Sequence, residues 1–333
     1  NSYKNLIVAA TGTGKTMIAA FDFRKFLVEN PNAKFLFVAH RIEILKQSLH
    51  TFRNVLKDNN FGELYGNGYE PKYKNAVFAT VQTLSKLDFE TYSTKNYFDY
   101  IILDEAHHGQ ASTYQKIINY FDPQILLGLT ATPERMDGKS ILPDFNNKIA
   151  AEIRLPDALN NKLLCPFQYF GISDSVDYSH IKWSSGKYDS AELTNIYTAN
   201  DIRVGDIIKN LNNYTKDIHS VSAVGFCVSV EHAKFMQRKF CYAGLSAEYL
   251  VSENSANRED IIHKFKKKEI NYLFVVDIFN EGIDIPQIDT VLFLRPTESL
   301  TIFLQQLGRG LRLSDDKDVL TVLDFVGQAR DEY

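Results

Sequence analysis

The sequence lacks the features that mark membrane proteins and zinc proteins. No apolar run reaches the length of a membrane span, and no signal-peptide pattern opens the chain. Its three cysteines, Cys165, Cys227 and Cys241, are scattered and do not have metal-ligand spacing. Because scattered thiols suit a reducing compartment, we expect a cytoplasmic protein that binds neither zinc nor a membrane.

The sequence also lacks an excess of basic charge. Lysine and arginine together number 37 against 41 aspartate and glutamate residues, which gives a net charge of −4. No overall positive field therefore attracts nucleic acid, and any such contact must come from local patches. The lysine-rich run 264–268 could contact phosphates, but we interpret it as the solvated face of a helix.

Length and composition indicate a globular protein of two domains. The 333 residues exceed what one ordinary core holds, and 44% of them are hydrophobic and 23% charged. The chain begins with Asn1 rather than methionine, and an apolar run follows almost at once. From this start we expect that the sequence is a piece of a longer protein.

A glycine-rich stretch, ATGTGKT at residues 10–16, lies between an apolar run at 6–8 and a helical pattern at 16–27. Strand, glycine turn, Lys-Thr and helix in this order are the context of a phosphate-binding loop. Ala9 departs from the general pattern G-x-x-x-x-G-K-[ST], because it stands at the position of the first glycine. A chance glycine turn before a lysine is the alternative, and the agreement of strand, loop and helix disfavours it.

The loop predicts which residues hold a nucleotide. Its glycines let successive N–H groups point at phosphate oxygens, and the N-terminus of the following helix adds partial positive charge. Lys15 adds a mobile charge for the β- and γ-phosphates, and the Thr16 hydroxyl can ligate Mg²⁺. The expected phosphate-binding residues are Thr11, Gly12, Thr13, Gly14, Lys15 and Thr16.

Short apolar runs alternate with helical patterns along the first half of the chain. Such runs predict a parallel sheet that is covered on both faces, and ligands of these sheets sit beyond the carboxyl ends of the strands. A polar cluster follows each run, which favours a single site. The runs after the loop are 34–39, 76–79, 100–103 and 125–129.

Asp104 and Glu105 follow the apolar run 100–103. Asp104 can hold Mg²⁺ directly or through water, and Glu105 can orient and deprotonate a water that attacks a γ-phosphate. Taken alone, the pair could equally be a solvated loop end or a helix cap. The phosphate loop upstream favours the catalytic interpretation.

The second half predicts another parallel sheet, because apolar runs again alternate with helical patterns. Before it, residues 173–199 have poor periodicity, and we interpret them as an irregular crossing or insertion. The predicted organisation is a first domain at 1–152, a linker and insertion at 153–215, and a second domain at 216–333. The runs of the second sheet are 222–227, 247–251, 271–276, 289–294 and 319–325.

The order of the motifs resembles a known family. ATGTGKT, VAHR, ATVQTL, DEAH and LTATP resemble the motifs of superfamily-two DEAD/DEAH-box nucleic-acid helicases, in the branch that contains the type III restriction helicase subunits. GFCVS, NEGIDIP and QQLGRGLR resemble the fourth, fifth and sixth motifs of the same family. Longer stretches are similar to bacterial helicases that carry an N-terminal phospholipase-D-like nuclease domain. Helicases of this superfamily commonly lack the first glycine of the general pattern, as this sequence does at Ala9.

The resemblance implies two tandem RecA-like P-loop domains, each a mostly parallel sheet with helices on both faces, and an ATP cleft between them. It implies ATP and Mg²⁺ as cofactors, with Thr16 and Asp104 as the metal-binding residues. Arg309 and Arg312 would act as arginine fingers, and their spacing of three predicts one shared face if both lie on a helix. For Arg295 the sequence does not distinguish an arginine finger from a solvated arginine.

The resemblance also assigns the remaining site residues. The expected catalytic group is Glu105, Gln305, Arg309 and Arg312, and Gly282 and Asp284 join the nucleotide-binding residues. The residues expected to couple the ATP site to nucleic acid are His107, Thr130 and Thr132. The residues expected to contact nucleic acid are Arg41, Thr80, Gln82, Thr83 and Ser229.

These patterns predict a nucleic-acid-dependent ATPase that acts as a DNA helicase or translocase. The alternative is an ATP-controlled clamp or switch, RNA-directed or DNA-directed, that does not unwind processively. A P-loop kinase or transport ATPase is disfavoured by Arg309, Arg312 and the second sheet. DNA is the expected partner with RNA as the alternative, and a flanking nuclease-like domain is expected in the full-length protein.

Overall fold

The structure is a computed structural model that describes residues 3–106, 111–133, 140–178, 180–184, 187–251, 257–276, 285–296 and 299–328. The predicted His107, Gly282 and Asp284 lie outside the described residues. Contacts divide the chain into two compact units, Asn1–Asn161 and Lys162–Tyr333. Within the described ranges, no helix is long and apolar enough to cross a membrane.

The first unit is built on one parallel sheet. Its strands are β1 Tyr3–Ala9, β2 Phe35–Ala39, β3 Glu63–Tyr65, β4 Ala76–Thr80, β5 Tyr100–Asp104, β6 Ile125–Thr130 and β7 Ile149–Ile153. They lie in the order β3-β4-β2-β5-β6-β1-β7, and every neighbouring pair is parallel. The carboxyl ends of β5, β6 and β1 are therefore adjacent.

Helices cover both faces of this sheet. They are α1 Lys15–Glu29, α2 Ile42–Leu56, α3 Val81–Ser85, α4 Phe89–Tyr92, α5 Ala111–Tyr120 and α6 Leu155–Asn160, with a 3₁₀ helix at Leu142–Phe145. Successive strand residues enter opposite cores: Phe35 and Phe37 pack on one face, and Leu36 and Val38 on the other. This double burial is why β2 is apolar at every position.

The second unit contains a second parallel sheet and a short hairpin. The strands of the sheet are β8 Phe167–Asp177, β11 Ala223–Phe226, β12 Ala247–Leu250, β13 Tyr272–Val275, β14 Thr290–Phe293 and β15 Leu320–Gln328. They lie in the order β12-β13-β11-β14-β15-β8 and pair in parallel. The hairpin strands are β9 Trp183–Ser184 and β10 Lys187–Tyr188.

The helices of the second unit are α7 Ser190–Thr198, α8 Asp201–Tyr214, α9 Val230–Tyr242, α10 Arg258–Lys266 and α11 Leu300–Gly310. The two parallel α/β sheets confirm the predicted fold class.

The segment interpreted as an irregular insertion, 173–199, is more regular than the sequence indicated. Strand β8 continues through its first residues and pairs with β15, and α7 begins after Asp189, whose carboxylate accepts hydrogen bonds from two N–H groups of the helix. The Tyr178 hydroxyl lies 2.7 Å from the Tyr197 hydroxyl in a small buried cluster. Periodicity is poor here because tyrosines and a polar cap, rather than an apolar stripe, hold the segment.

A buried ion pair fastens the same segment to the second unit. Arg203 of α8 donates from Nε to Asp174 of β8 at 2.6 Å, and each side chain is only 2% exposed. Arg203 also donates to the Leu294 carbonyl at the end of β14. Part of the predicted linker thus belongs to the second sheet, while the predicted domain boundaries themselves stay a prediction.

Candidate functional site

The glycine-rich loop joins the end of β1 to the start of α1. Gly14 is the residue before the helix and has φ 85° and ψ 34°, and Gly12 has φ 91°. These left-handed conformations favour glycine, because a Cβ is strained there. Gly14 offers no capping side chain, and the first N–H groups of a helix have no partners within it. The loop therefore presents main-chain donors to an anion.

Lys15 and Glu105 lie close together beneath this loop. The Lys15 Nζ donates to the Ala9 carbonyl at 3.2 Å and lies 3.8 Å from Glu105 Oε1. The side chains are 10% and 14% exposed, so solvent screens their attraction only partly. Asp104, the last residue of β5, is buried beside them. A cation and two carboxylates at one edge of the sheet are the groups that Mg²⁺-bound phosphates require.

Strand β6 brings Thr130 and Thr132 to the same edge. Thr130 pairs with Val8 of β1, and its hydroxyl donates to the Thr132 carbonyl at 2.5 Å while accepting from the Thr132 N–H at 3.2 Å. The main chain after β5 is tied to β6, because the Ala106 N–H donates to Leu129. The predicted coupling residues that are described therefore lie next to the loop.

Two buried hydroxyls at this edge fit a bound polar group. The Oγ1 atoms of Thr11 and Thr132 are inaccessible to solvent and form no hydrogen bond within the described ranges. Buried polar atoms are rarely left without a partner, so these positions suit a nucleotide and its waters. Mg²⁺ keeps several waters and takes few protein ligands. Among the residues that the structure describes, no group of three or more His, Cys, Asp or Glu could hold a metal.

Tyr114 supports this edge and was not predicted. Its hydroxyl donates to the Asp104 carbonyl at 2.7 Å, from helix α5. The bond fixes the main chain beside the two carboxylates. No motif or spacing marks this tyrosine, because its acceptor is a backbone atom.

The predicted nucleic-acid residues of the first unit follow β2 and β4. Arg41 precedes α2, and Thr80 precedes α3. The Thr80 Oγ1 accepts from the Thr83 N–H at 3.2 Å and lies 2.7 Å from the Thr83 hydroxyl. Thr80 is therefore buried as a helix cap, whereas Gln82 is exposed to solvent. These residues share the carboxyl edge of the sheet with the loop, because the strands are parallel.

Helix α11 of the second unit carries only part of the predicted sixth motif. Gln305 is buried on the helix, and Arg309 lies in its last turn. Arg312 follows the C-cap Leu311 and lies beyond the helix, so the condition for one shared helical face is not met. The helix ends at Gly310. Burial lowers the pKa of the Arg312 guanidinium.

Ser229 has a structural role besides the predicted one. It caps α9, and its Oγ accepts from the His232 N–H at 3.1 Å and from the Thr194 hydroxyl at 2.8 Å. Sequence patterns did not indicate Thr194, which lies on α7 within the segment interpreted as irregular.

Comparisons with known families show which family the chain belongs to. Residues 1–135 match the family model for the type III restriction enzyme, res subunit, and residues 206–314 match that for the helicase conserved C-terminal domain. The Saccharomyces cerevisiae protein named "Putative ATP-dependent helicase IRC3" is 30% identical over 332 residues, covering 96% of this chain and 48% of IRC3. The chain thus spans about half the length of this relative.

Solved structures show the same fold. An HsdR-subunit fragment of a type I restriction enzyme from Vibrio vulnificus YJ016 has a TM-score of 0.75 at 23% identity, covering 98% of this chain and 60% of the fragment. The type ISP restriction-modification enzyme LlaBIII, bound to DNA, has a TM-score of 0.73 at 18% identity. The match covers 99% of this chain and 27% of the LlaBIII chain. Both units are RecA-like. The chain therefore belongs to the superfamily-two helicases and is similar to the helicase subunits of type I and type III restriction enzymes.

Proposed function

We propose that the chain is the motor of a DNA helicase or translocase, in which ATP hydrolysis drives movement along DNA. The observation that carries the proposal is the position of the Lys15 ammonium, 3.8 Å from Glu105 and under a glycine loop at the carboxyl edge of a parallel sheet. A helicase C-terminal match in the second unit supports a motor over a simple nucleotide-binding domain.

In the proposed mechanism, the first unit holds the nucleotide. The loop N–H groups and Lys15 bind the β- and γ-phosphates, and Thr16 and Asp104 hold Mg²⁺. When bound, Mg²⁺ neutralises charge that develops on the phosphates. Glu105 orients a water for attack on the γ-phosphate and accepts its proton. Until the nucleotide binds, the neighbouring ammonium of Lys15 keeps this carboxylate at the site.

The second unit completes the site in this proposal. Arg309 and Arg312 stabilise the charge of the transition state, Gln305 assists them, and Gly282 and Asp284 contact the nucleotide. Arginine fingers raise phosphoryl-transfer rates by roughly 10³–10⁵-fold. We propose that two RecA-like domains, 1–152 and 216–333, joined by 153–215, both contribute residues that act on ATP. ATP binding then favours one conformation of the protein, hydrolysis removes that preference, and the alternation between the two states drives movement along DNA.

DNA is the proposed track. The family match to a restriction-enzyme subunit and the DNA bound to LlaBIII favour DNA over RNA. Arg41, Gln82, Thr83 and Ser229 would hold the phosphate backbone, because short polar side chains and helix N-termini bind phosphates without reading bases. A phospholipase-D-like nuclease domain in the full-length protein is part of the same proposal.

The test is ATP hydrolysis by the full-length protein with single-stranded DNA, duplex DNA or RNA. We expect stimulation by DNA, and a loss of turnover in Lys15→Ala and Glu105→Gln on the order of 10²-fold or more. Lys25→Ala is the matched control, because Lys25 lies exposed on the same helix as Lys15. Equal turnover in all four proteins would contradict the site, and stimulation by RNA alone would contradict the DNA track.

Movement is tested separately by displacement of a third strand from a DNA triplex. We expect displacement that requires ATP and begins from one side of the triplex. Hydrolysis without displacement would favour the alternative, an ATP-controlled clamp. Glu105→Gln, which keeps the loop and its lysine, serves as the control that binds ATP without turning it over.

A further inference from the structure

Lys317 of the second unit places its charge inside the protein. It lies between α11 and β15, and its side chain is only 8% exposed. Its Nζ donates to the carbonyl oxygens of Pro286 at 2.8 Å, Ile288 at 3.0 Å and Gly310 at 2.8 Å. An ammonium has three N–H donors, so all of them are used by main-chain acceptors.

The three acceptors belong to two segments that are predicted to act on ATP. Pro286 ends the NEGIDIP motif, and Ile288 lies just before β14. Gly310 is the last residue of α11, the helix that carries Gln305. Carbonyls at a helix C-terminus have no partner within the helix and carry partial negative charge, which suits a cation. Lys317 therefore joins the end of the fifth motif to the end of the sixth.

Close packing also fixes the position of the C-terminal end of α11. A Cβ added to Gly310 would lie 2.6 Å from Leu320 Cδ1, so the helix end lies directly on the first residue of β15. The next residue, Leu311, accepts a hydrogen bond from the Cys165 N–H at 2.7 Å. With these contacts in place, the lysine sets the helix end against the loop 285–289.

Holding a charge here is unfavourable in itself. Burial, as the largest cause, lowers the pKa of Lys317, and the nearby Arg312 adds repulsion, while Cys165 and Asp289 oppose the shift. A packed apolar side chain would avoid this desolvation, although it could not satisfy three carbonyls. The Lys317 ammonium is therefore suited to holding the end of α11 and the loop 285–289 in one arrangement, rather than to filling space in the core.

We propose that Lys317 is a positioning residue for ATP hydrolysis, which holds the end of α11 against the loop 285–289 so that Arg309 and Arg312 meet the γ-phosphate in one geometry. The proposal rests on the proposed function. Because small displacements of catalytic groups lower rates steeply, the effect belongs in kcat rather than in ATP binding. In the proposed function the phosphates of ATP are bound mainly by the loop of the first unit, Thr11 to Thr16.

The test measures DNA-stimulated hydrolysis by the full-length protein carrying Lys317→Met, which keeps the side-chain length and removes the donors. We expect kcat to fall on the order of 10- to 100-fold per folded molecule, with KM for ATP within about 2-fold of the parent. Circular dichroism of each full-length variant measures its folded fraction. Lys266→Met, at an exposed lysine of α10, is the matched control.

The same substitution in a protein that already carries Arg309→Ala separates a positioning role of Lys317 from a role in folding. If Lys317 acts through the arginines, Lys317→Met should lower kcat by less than about 2-fold once Arg309→Ala is present, because residues that act as a unit are not additive. Lys317→Gln retains two N–H donors and should have an intermediate kcat, which keeps the test available if the methionine variant folds poorly.

The outcomes distinguish this proposal from the proposed function. An unchanged kcat in Lys317→Met, or a loss that adds fully to that of Arg309→Ala, would overturn the positioning role alone. Failure of the parent protein to hydrolyse ATP would overturn both proposals. A raised KM with an unchanged kcat would also contradict the positioning role.

Discussion

At the residue scale, Glu105 combines a proposed catalytic carboxylate with an unfavourable backbone conformation. Its φ is 46°, in the left-handed region that side chains other than glycine rarely adopt. A non-glycine residue there costs about 1–2 kcal/mol, and strain of this kind collects at functional sites. The geometry places the carboxylate beside Lys15 at the expense of local stability.

Replacing Glu105 by glycine should therefore separate stability from activity. Glycine accepts the conformation, although its greater freedom in the unfolded chain removes about 0.5–1 kcal/mol of the gain. We expect Glu105→Gly to have a free energy of unfolding equal to the parent or up to about 1 kcal/mol higher, and to lose ATP hydrolysis. Urea denaturation and the ATPase assay measure the two effects.

Lys57→Gly is the control for this backbone effect. Lys57 ends α2 with φ 60° and is exposed to solvent. Because it shares the conformation but not the site, its replacement should raise stability by a similar amount and leave hydrolysis unchanged. A glycine at position 105 that destabilised the fold strongly, or that retained turnover, would contradict the interpretation.

At the element scale, the turn after β3 shapes the predicted nucleic-acid edge. Gly66 has φ 130°, and a Cβ added to it would lie 2.6 Å from Thr80 Oγ1 and 2.7 Å from Thr83 Oγ1. These hydroxyls form the cap of α3. The turn thus approaches the cap so closely that only glycine fits between them.

Gly66→Ala should displace this cap and weaken DNA binding. Overpacking costs roughly 1–3 kcal/mol, and the shifted Thr80 and Thr83 would no longer hold the start of α3. Gly68→Ala is the matched control, because Gly68 also has a positive φ, 87°, but nothing within 4 Å of its added Cβ. Urea denaturation and fluorescence anisotropy with labelled DNA give the comparison. Equal behaviour of the two variants would show that the close approach has no effect.

The elements also show what the sequence could predict. Strand β2 and residues 100–103 of β5 are buried on both faces, so each forms a continuous apolar run that can be recognised in the sequence. The sequence analysis did not predict helix α7. A side-chain cap and packed tyrosines stabilise this helix, and neither produces a helical spacing of apolar residues. Motif spacing placed Lys15 and Glu105 at one edge, and the structure brings them together.

Other parts of the site leave no trace in sequence patterns. Lys317 and Tyr114 act on main-chain carbonyls, and any residue type can supply that acceptor. Helix α11 ends at Gly310, before Arg312, and Gly310 lies so close to Leu320 that an added Cβ would clash with it. Contacts with main chain and the fit of glycine against a neighbour arise only after the chain has folded.

At the scale of the whole molecule, buried tyrosines in both units bind their protons more tightly in the folded protein. Burial, as the largest cause, raises the pKa of Tyr92 in the first unit and of Tyr178 in the second to about 12. It also raises the pKa of Tyr100 and of Tyr197. Folding therefore opposes ionisation at several positions, and both units become sensitive to alkali.

The sign of this effect predicts alkaline unfolding. In the unfolded chain a tyrosine ionises near pH 10, whereas in the fold Tyr92 ionises near pH 12. The stabilisation is thus complete below about pH 10 and is lost as the pH rises through 12. Urea midpoints should fall between pH 9 and pH 11, with circular dichroism following both units and Trp183 fluorescence following the second.

Tyr92→Phe should reduce that fall. The Tyr92 hydroxyl is buried and forms no hydrogen bond with the described chain, so phenylalanine keeps the packing and removes only the group that ionises. We expect a midpoint at pH 8 close to that of the parent and a higher midpoint at pH 11. Tyr73→Phe, at a tyrosine that is 72% exposed, is the control and should follow the parent at both values. Parallel pH profiles for all three proteins would show that burial of Tyr92 does not govern alkaline stability.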